Sequence, residues 1–289
     1  MKVKKIPLSC GTRLVITLLA ISITSACAGP SPTARFAAFA LESGLEPGDI
    51  AGLGFRHRTF AADPDAPAAH GQRLHVYFGG DGTPFLGPNM IAADPTPREP
   101  FALKLMRLDP KRSVFLGRPC YHGMMAGCEP GMWTIGRYSE AMVASMAAAT
   151  ERLIAQRDYA SVVLIGYSGG GVLALLVAER LPQVDAVVTV AANLDLQAWT
   201  ELHGYSPLVT SLDPARLSGS RNGLRQLHLS GEADGNVPPA VHEALLQRLP
   251  AAEFRTLPGF DHRCCWLQLW PQLLAELDSW PGAAINERR

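Results

Sequence analysis

Ser168 stands in the run Ser161-Val-Val-Leu-Ile-Gly166-Tyr167-Ser168-Gly169-Gly170-Gly171, in which an apolar stretch feeds a G-x-S-x-G turn that opens a second apolar stretch. A serine raised on a tight strand-to-helix turn presents its hydroxyl for attack on a carbonyl carbon, and its backbone is strained. The residues two before and two after it approach too closely to carry side chains, a need that Gly166 and Gly170 meet. The helix that follows aims its first N–H groups at the site, where negative charge developing on a substrate oxygen is stabilised, and Gly169 supplies the first of them. The chemistry indicated is nucleophilic acyl transfer. An incidental serine in a glycine-rich turn would require neither the strand nor the helix, and both are present.

The elements that must hold this turn follow from period and composition. Short β-rich runs are expected at Leu74–Phe78, Ser113–Leu116, Ser161–Ile165, Asp185–Val190, Leu224–Leu229 and Glu253–Leu257. Between them lie helical patterns. Met142, Val143, Met146, Leu153 and Ile154 recur at helical spacing opposite Glu151 and Arg152, whereas Val172–Val177 is apolar all round and suits a helix buried beneath other elements. Further helices are expected at Ala240–Leu249 and Trp266–Leu277. Strands alternating with helices predict a mainly parallel central sheet covered on both faces.

With this context the chain resembles the α/β-hydrolase superfamily, over about Leu74 to Leu269. In that family the order along the chain is nucleophile, acid, histidine, and the resemblance implies an acid just after a strand near residue 230 and a histidine after the last strand. The acid implied is Asp234, in Leu227-His-Leu-Ser-Gly231-Glu-Ala-Asp234-Gly-Asn-Val237-Pro-Pro239, buried and accepting the imidazole N–H. Glu232 is a nearby rival, and Asp195 is the fallback, because some members carry the acid after the strand ending near Val190. The base implied is His262, in Leu257-Pro-Gly-Phe-Asp-His262, with Asp261 excluded as its partner because adjacent side chains seldom face each other. The second oxyanion donor comes, in the family, from a loop here read as Tyr77-Phe78-Gly79-Gly80-Asp81-Gly82. It resembles the HGGG loop of esterases and lipases, with Phe78 in place of the histidine and Asp81 interrupting the glycines, so the backbone of Gly80 or of Asp81 is the donor. No chemical role is expected for the Asp81 carboxylate, since a charge beside an oxyanion would repel it.

The fold class expected is thus α/β, of the α/β-hydrolase type, with a small cap between Asn193 and Asn222. There Trp199, His203, Tyr205 and Leu208 either line a modest pocket or pack, and Trp133 and Arg137 are equally open to both readings. The function implied is a serine hydrolase of small or medium acyl esters, like a carboxylesterase or lipase, using neither cofactor nor metal. A peptidase or thioesterase with the same triad, or an inactive surface lipoprotein serving as a binding module, are the alternatives.

Residues 1–27 read as an export signal. Lys2, Lys4, Lys5 and Arg13 precede an apolar run from Leu14 to Thr24, too short to span a bilayer, and small residues lead to Cys27. Ser25, Ala26 and Cys27 resemble a bacterial lipobox with Thr24 where leucine is usual, which implies a lipid on Cys27 and the periplasmic face of the outer membrane. Ala26, Cys27 and Ala28 alternatively form an A-x-A site that releases a soluble periplasmic or secreted protein. Residues 28–69, rich in Ala, Pro and Gly, read as a tether followed by an edge hairpin with a strand at Gly54–Phe60, and 70–289 as the hydrolase domain. Removing the leader subtracts four basic residues and no acidic ones from a balance of 26 against 26, so the mature chain is mildly acidic and lacks the basic stripe that nucleic acid requires. With Cys10 and Cys27 set aside, four cysteines remain. An oxidising compartment suggests disulfides, and Cys120 with Cys128 is the expected pair. Zinc is disfavoured because CxxC spacing is absent.

Overall fold

In the computed structural model, which describes residues 29–62, 73–156, 159 and 161–280, the β-rich runs align into one eight-stranded sheet. The elements in chain order are α1 Pro32–Glu42, β1 Glu46–Ala51, β2 Arg56–Ala61, β3 Arg73–Phe78, β4 Phe85–Gly87, β5 Met90–Ile91, α2 Phe101–Met106, β6 Ser113–Leu116, α3 Glu140–Ala155, β7 Ser161–Tyr167, α4 Gly169–Ala178, β8 Val184–Val190, α5 Leu196–His203, β9 Arg225–Gly231, α6 Glu243–Arg248, β10 Glu253–Leu257 and α7 Trp266–Asp278. The sheet order is β1-β2-β6-β3-β7-β8-β9-β10. From β6 to β10 all neighbours run parallel, and β1 and β2 close one edge as an antiparallel hairpin.

Burial on both faces explains why β7 and β8 read as unbroken apolar runs rather than alternating ones. Val162 and Leu164 point to a core made with α3, α4 and α6, while Val163 and Ile165 point to one made with α1, α2 and α7 and anchored by Trp266 and Trp270. Helix α4 is buried at every position, as its composition requires. The register then sets the site: Phe78 pairs with Gly166, Tyr167 with Val190 and Leu257 with Gly231, so the C-terminal ends of five strands meet at one edge.

Three expectations need correction. The segment read as a tether contains α1, whose Pro32 follows the Ser31 cap and whose Phe36 and Ala40 are core residues; its Ala-rich composition suited a helix as well as a linker. The edge hairpin is present, but it belongs to the main sheet rather than to a separate N-terminal region. The helix expected at Ala240–Leu249 divides into a 3₁₀ turn at Pro239–His242 and the short α6. Cys27 and the leader lie outside the described residues, and no described helix is long and apolar enough to cross a membrane.

Burial favours the neutral form of His57, His122, His228 and His242. The His57 Nδ1–H donates to the Gly117 carbonyl at 2.8 Å, and its Nε2 lies 2.8 Å from the Ser145 hydroxyl. Burial pulls its pKa from 6.5 to about 4, against the opposing Gly117 bond. Burial likewise pulls His122 and His228 to about 3. Because the unfolded chain binds these protons near pH 6.5 and the folded chain does not, stability is full above that pH and falls as pH drops toward the folded values. Each histidine then costs about 2 kcal/mol by pH 5, at about 1.4 kcal/mol per pH unit. Against a total of roughly 5–15 kcal/mol, circular dichroism is expected to show cooperative unfolding between about pH 5 and 4. A chain fully folded at pH 3.5 would show that these rings are not buried.

Candidate active site

Ser168 joins β7 to α4 with φ 51° and ψ −128°, a conformation that L-residues adopt only when their surroundings impose it. The imposition is visible. A Cβ on Gly166 would lie 2.4 Å from the Gly170 carbonyl oxygen, and one on Gly170 would lie 2.3 Å from the Phe78 carbonyl oxygen. The Ser168 amide donates to the Val190 carbonyl at 2.9 Å, which pins the elbow to β8.

The His262 ring reaches this serine from the loop between β10 and α7, its Nε2 3.2 Å from the Ser168 Oγ. Its Nδ1 lies 2.9 Å from the Asp234 Oδ2, and because a carboxylate only accepts, the ring proton sits on Nδ1 and Nε2 is free to accept. The Asp234 side chain is wholly buried. Its other oxygen, Oδ1, accepts the amides of Asn236 at 2.8 Å and Val237 at 2.9 Å, so both oxygens are committed. The acid and base loops are tied together by the Ala233 amide on the Phe260 carbonyl at 2.8 Å, and the Tyr167 hydroxyl donates to the His262 carbonyl at 3.0 Å. The rival acids are used elsewhere. Asp195 caps α5 through the Ala198 amide, Asp261 accepts the amides of Arg263 and Cys264, and Glu232 is exposed.

Gly169 opens α4, so its amide has no carbonyl one turn back in the helix to bond. The Gly79–Gly82 loop lies against the elbow, since a Cβ on Gly80 would come within 3.3 Å of the Ser168 Cβ. The Asp81 carboxylate is the largest departure from the sequence reading. It is clamped by Arg118 at 2.5 Å, Arg137 at 2.8 Å and the Tyr138 hydroxyl at 2.6 Å, while the Tyr121 hydroxyl donates to its carbonyl at 2.9 Å. Burial works against its ionisation, but the two guanidinium groups prevail and hold its pKa at about 2. The cluster therefore carries one net positive charge, and the repulsion feared from a bare carboxylate is cancelled.

Arg118, Tyr121 and Tyr138 escaped the sequence reading. The one cue is that Arg118 closely follows β6, at the sheet end where such sites are built. Arg137 reaches Asp81, whereas Trp133 is a packing residue whose indole N–H meets the Ala92 carbonyl at 3.1 Å. Cys120 and Cys128 are bonded to each other and close the loop that carries Tyr121; Cys264 is bonded to Cys265, with Arg263 between this pair and His262. Asn236 also escaped notice, and its side-chain amide lies 3.2 Å from the His262 Nε2.

Above Ser168 opens a cleft of 1130 Å³, larger than the modest pocket expected. Trp199, His203, Tyr205 and Leu208 all line it, the His203 ring stacking on Tyr205 and both Trp199 and His203 donating to the Asn236 carbonyl. Among the described residues no group of histidine, cysteine and acidic side chains is arranged to hold a metal ion.

No protein-family model and no curated protein matches this sequence. Solved structures do match its shape. A Xanthomonas campestris α/β serine hydrolase without a lid is similar at 15% identity and TM-score 0.54, over 83% of this chain and 96% of that one. An esterase of Pyrococcus furiosus is similar at 11% and 0.56, over 82% and 91%. A proline iminopeptidase-related protein of Thermus thermophilus is similar at 17% and 0.55, over 81% and 98%. The chain thus has the α/β-hydrolase fold.

Proposed function

We propose that this protein is a serine hydrolase that cleaves carboxylic esters through an acyl-enzyme on Ser168. The observation that carries the reading is the continuous hydrogen-bonded line from the Ser168 Oγ through the His262 ring to the buried Asp234 carboxylate, at 3.2 and 2.9 Å. His262 Nε2 takes the hydroxyl proton as Oγ attacks the ester carbonyl, and Asp234 stabilises the imidazolium that results. The oxyanion is held by the Gly169 amide and by an amide of the Gly80–Asp81 turn, with the positive Asp81 cluster behind it. His262 then returns the proton to the departing alcohol, and water, deprotonated by the same ring, releases the acid. The roomy cleft and its aromatic wall suit small and medium acyl chains.

In this reading the leader exports the chain, and a lipid on Cys27 anchors it to a membrane. A fluorophosphonate probe tests the chemistry: labelling of the wild type and none of Ser168→Ala is expected. An unlabelled wild type would leave a binding module. Parallel assays on p-nitrophenyl esters and aminoacyl amides separate esterase from peptidase action, with turnover expected only for the esters.

A further inference from the structure

The rim of the cleft is apolar, and it is exposed. Strands β4 and β5 form a two-stranded hairpin outside the main sheet, in which Phe85 is 43%, Leu86 51%, Met90 60% and Ile91 44% exposed. An isolated hairpin with so little covered surface gains nothing from its apolar side chains in water. Phe85 and the adjoining Gly87 and Pro88 line the cleft that holds Ser168, so the hairpin is one lip of its mouth. Exposed Ile135 and Tyr205 contribute from two other segments, and Val209, 73% exposed, follows Leu208 on the cleft wall.

Two further observations identify what would cover this rim. The charge at the mouth is positive: Arg98 and Arg263 are exposed cleft residues, whereas the lining carboxylates are neutralised, Asp81 by its two arginines and Glu99 by Lys104. The start of α1 also lies on this side. Thr33 donates its amide to Asp94 at 3.0 Å and meets the Thr96 hydroxyl at 3.0 Å, just beyond the end of the hairpin, and Phe36 lines the cleft. Cys27 is four residues before Ser31, and four extended residues span at most about 14 Å. A lipid on Cys27, as proposed above, would be tethered within that reach of Ser31.

We propose that the mouth of the cleft is a lipid-docking surface. The Phe85–Ile91 hairpin, with Ile135 and Val209, enters the interfacial layer of an anionic bilayer, and the substrates are ester lipids drawn from that layer to Ser168. The docking surface stands on its own observations, while the substrate class rests on the ester-hydrolase reading above.

The test uses residues 29–289, which contain the compact unit Ser31–Arg289 and carry no lipid, so that the rim alone is measured. Cosedimentation with vesicles of phosphatidylethanolamine and phosphatidylglycerol is expected to pellet the wild type. Leu86→Ser with Met90→Ser is expected to bind about tenfold more weakly, in line with the loss of two inserted apolar side chains, with p-nitrophenyl acetate hydrolysis unchanged. Val209→Asp, on a separate segment, gives the same loss if the hairpin variant fails to fold. The proposal is overturned if the wild type stays in the supernatant, if the variants pellet equally, or if the hairpin instead seals a concentration-dependent dimer without lipid. A protein that binds vesicles but hydrolyses no ester keeps the docking surface and removes the hydrolase; one that hydrolyses acetate and ignores vesicles does the reverse.

Discussion

Asp234→Asn is expected to lower kcat for a soluble ester by about 10³–10⁴-fold while leaving the fold intact, nearly as severe as Ser168→Ala. The reason lies in the hydrogen bonds of the buried carboxylate. Its Oδ1 accepts two backbone amides, from Asn236 and Val237, and an asparagine must place its single oxygen there. The amide NH₂ then faces His262 where Oδ2 had been. A ring nitrogen facing a donor must accept, so the proton moves to Nε2, and Nε2 can no longer take the Ser168 proton. Combining Ser168→Ala with His262→Ala is expected to be no worse than either alone, because the two act as one unit. Steady-state kinetics with circular dichroism as the fold control decides the matter. An Asp234→Asn enzyme within tenfold of wild type would mean that another group orients the base.

These residues were legible for different reasons. The elbow announces itself because its strain needs glycines next to the serine in sequence, within one strand and one helix. Asp234 and His262 carry no local signature of that strength, and chain order located them. What stayed hidden is what sequence neighbours do not encode. The partners of Asp81 lie 37, 56 and 57 residues away, and no spacing rule links a loop carboxylate to arginines that follow β6, three strands further along the chain. Hairpin β4–β5 has too few residues for a period to emerge. Asp195, weighed as an acid, proved to be the cap of α5, a helix whose eight residues left little pattern to read.

Asp81→Asn tests the hidden part of the site, and it is expected to lower both stability and activity. The variant keeps the shape of the side chain and removes its charge, leaving Arg118 and Arg137 buried without a counter-ion. Breaking such a pair by removing one member costs about 3–5 kcal/mol. For a domain of this size that corresponds to a fall in Tm of roughly 10 °C, measurable by calorimetry. In the proposed mechanism the turn that Asp81 anchors also supplies the second oxyanion donor, so kcat/KM at a temperature where the variant is folded should fall by about 10²-fold or more, with KM little changed. Tyr138→Phe removes one hydrogen bond and no charge, and a smaller loss in both measurements is expected, about 1–3 kcal/mol in stability. Because the carboxyl titrates at about 2 in the folded protein and 3.8 otherwise, the ion cluster contributes fully above pH 3.8 and is lost only below it. Histidine protonation is expected to unfold the chain before that range is reached, so the substitution, rather than acid titration of the wild type, reports on Asp81. A variant with unchanged Tm and unchanged turnover would show that the clamp neither stabilises the fold nor positions the oxyanion loop.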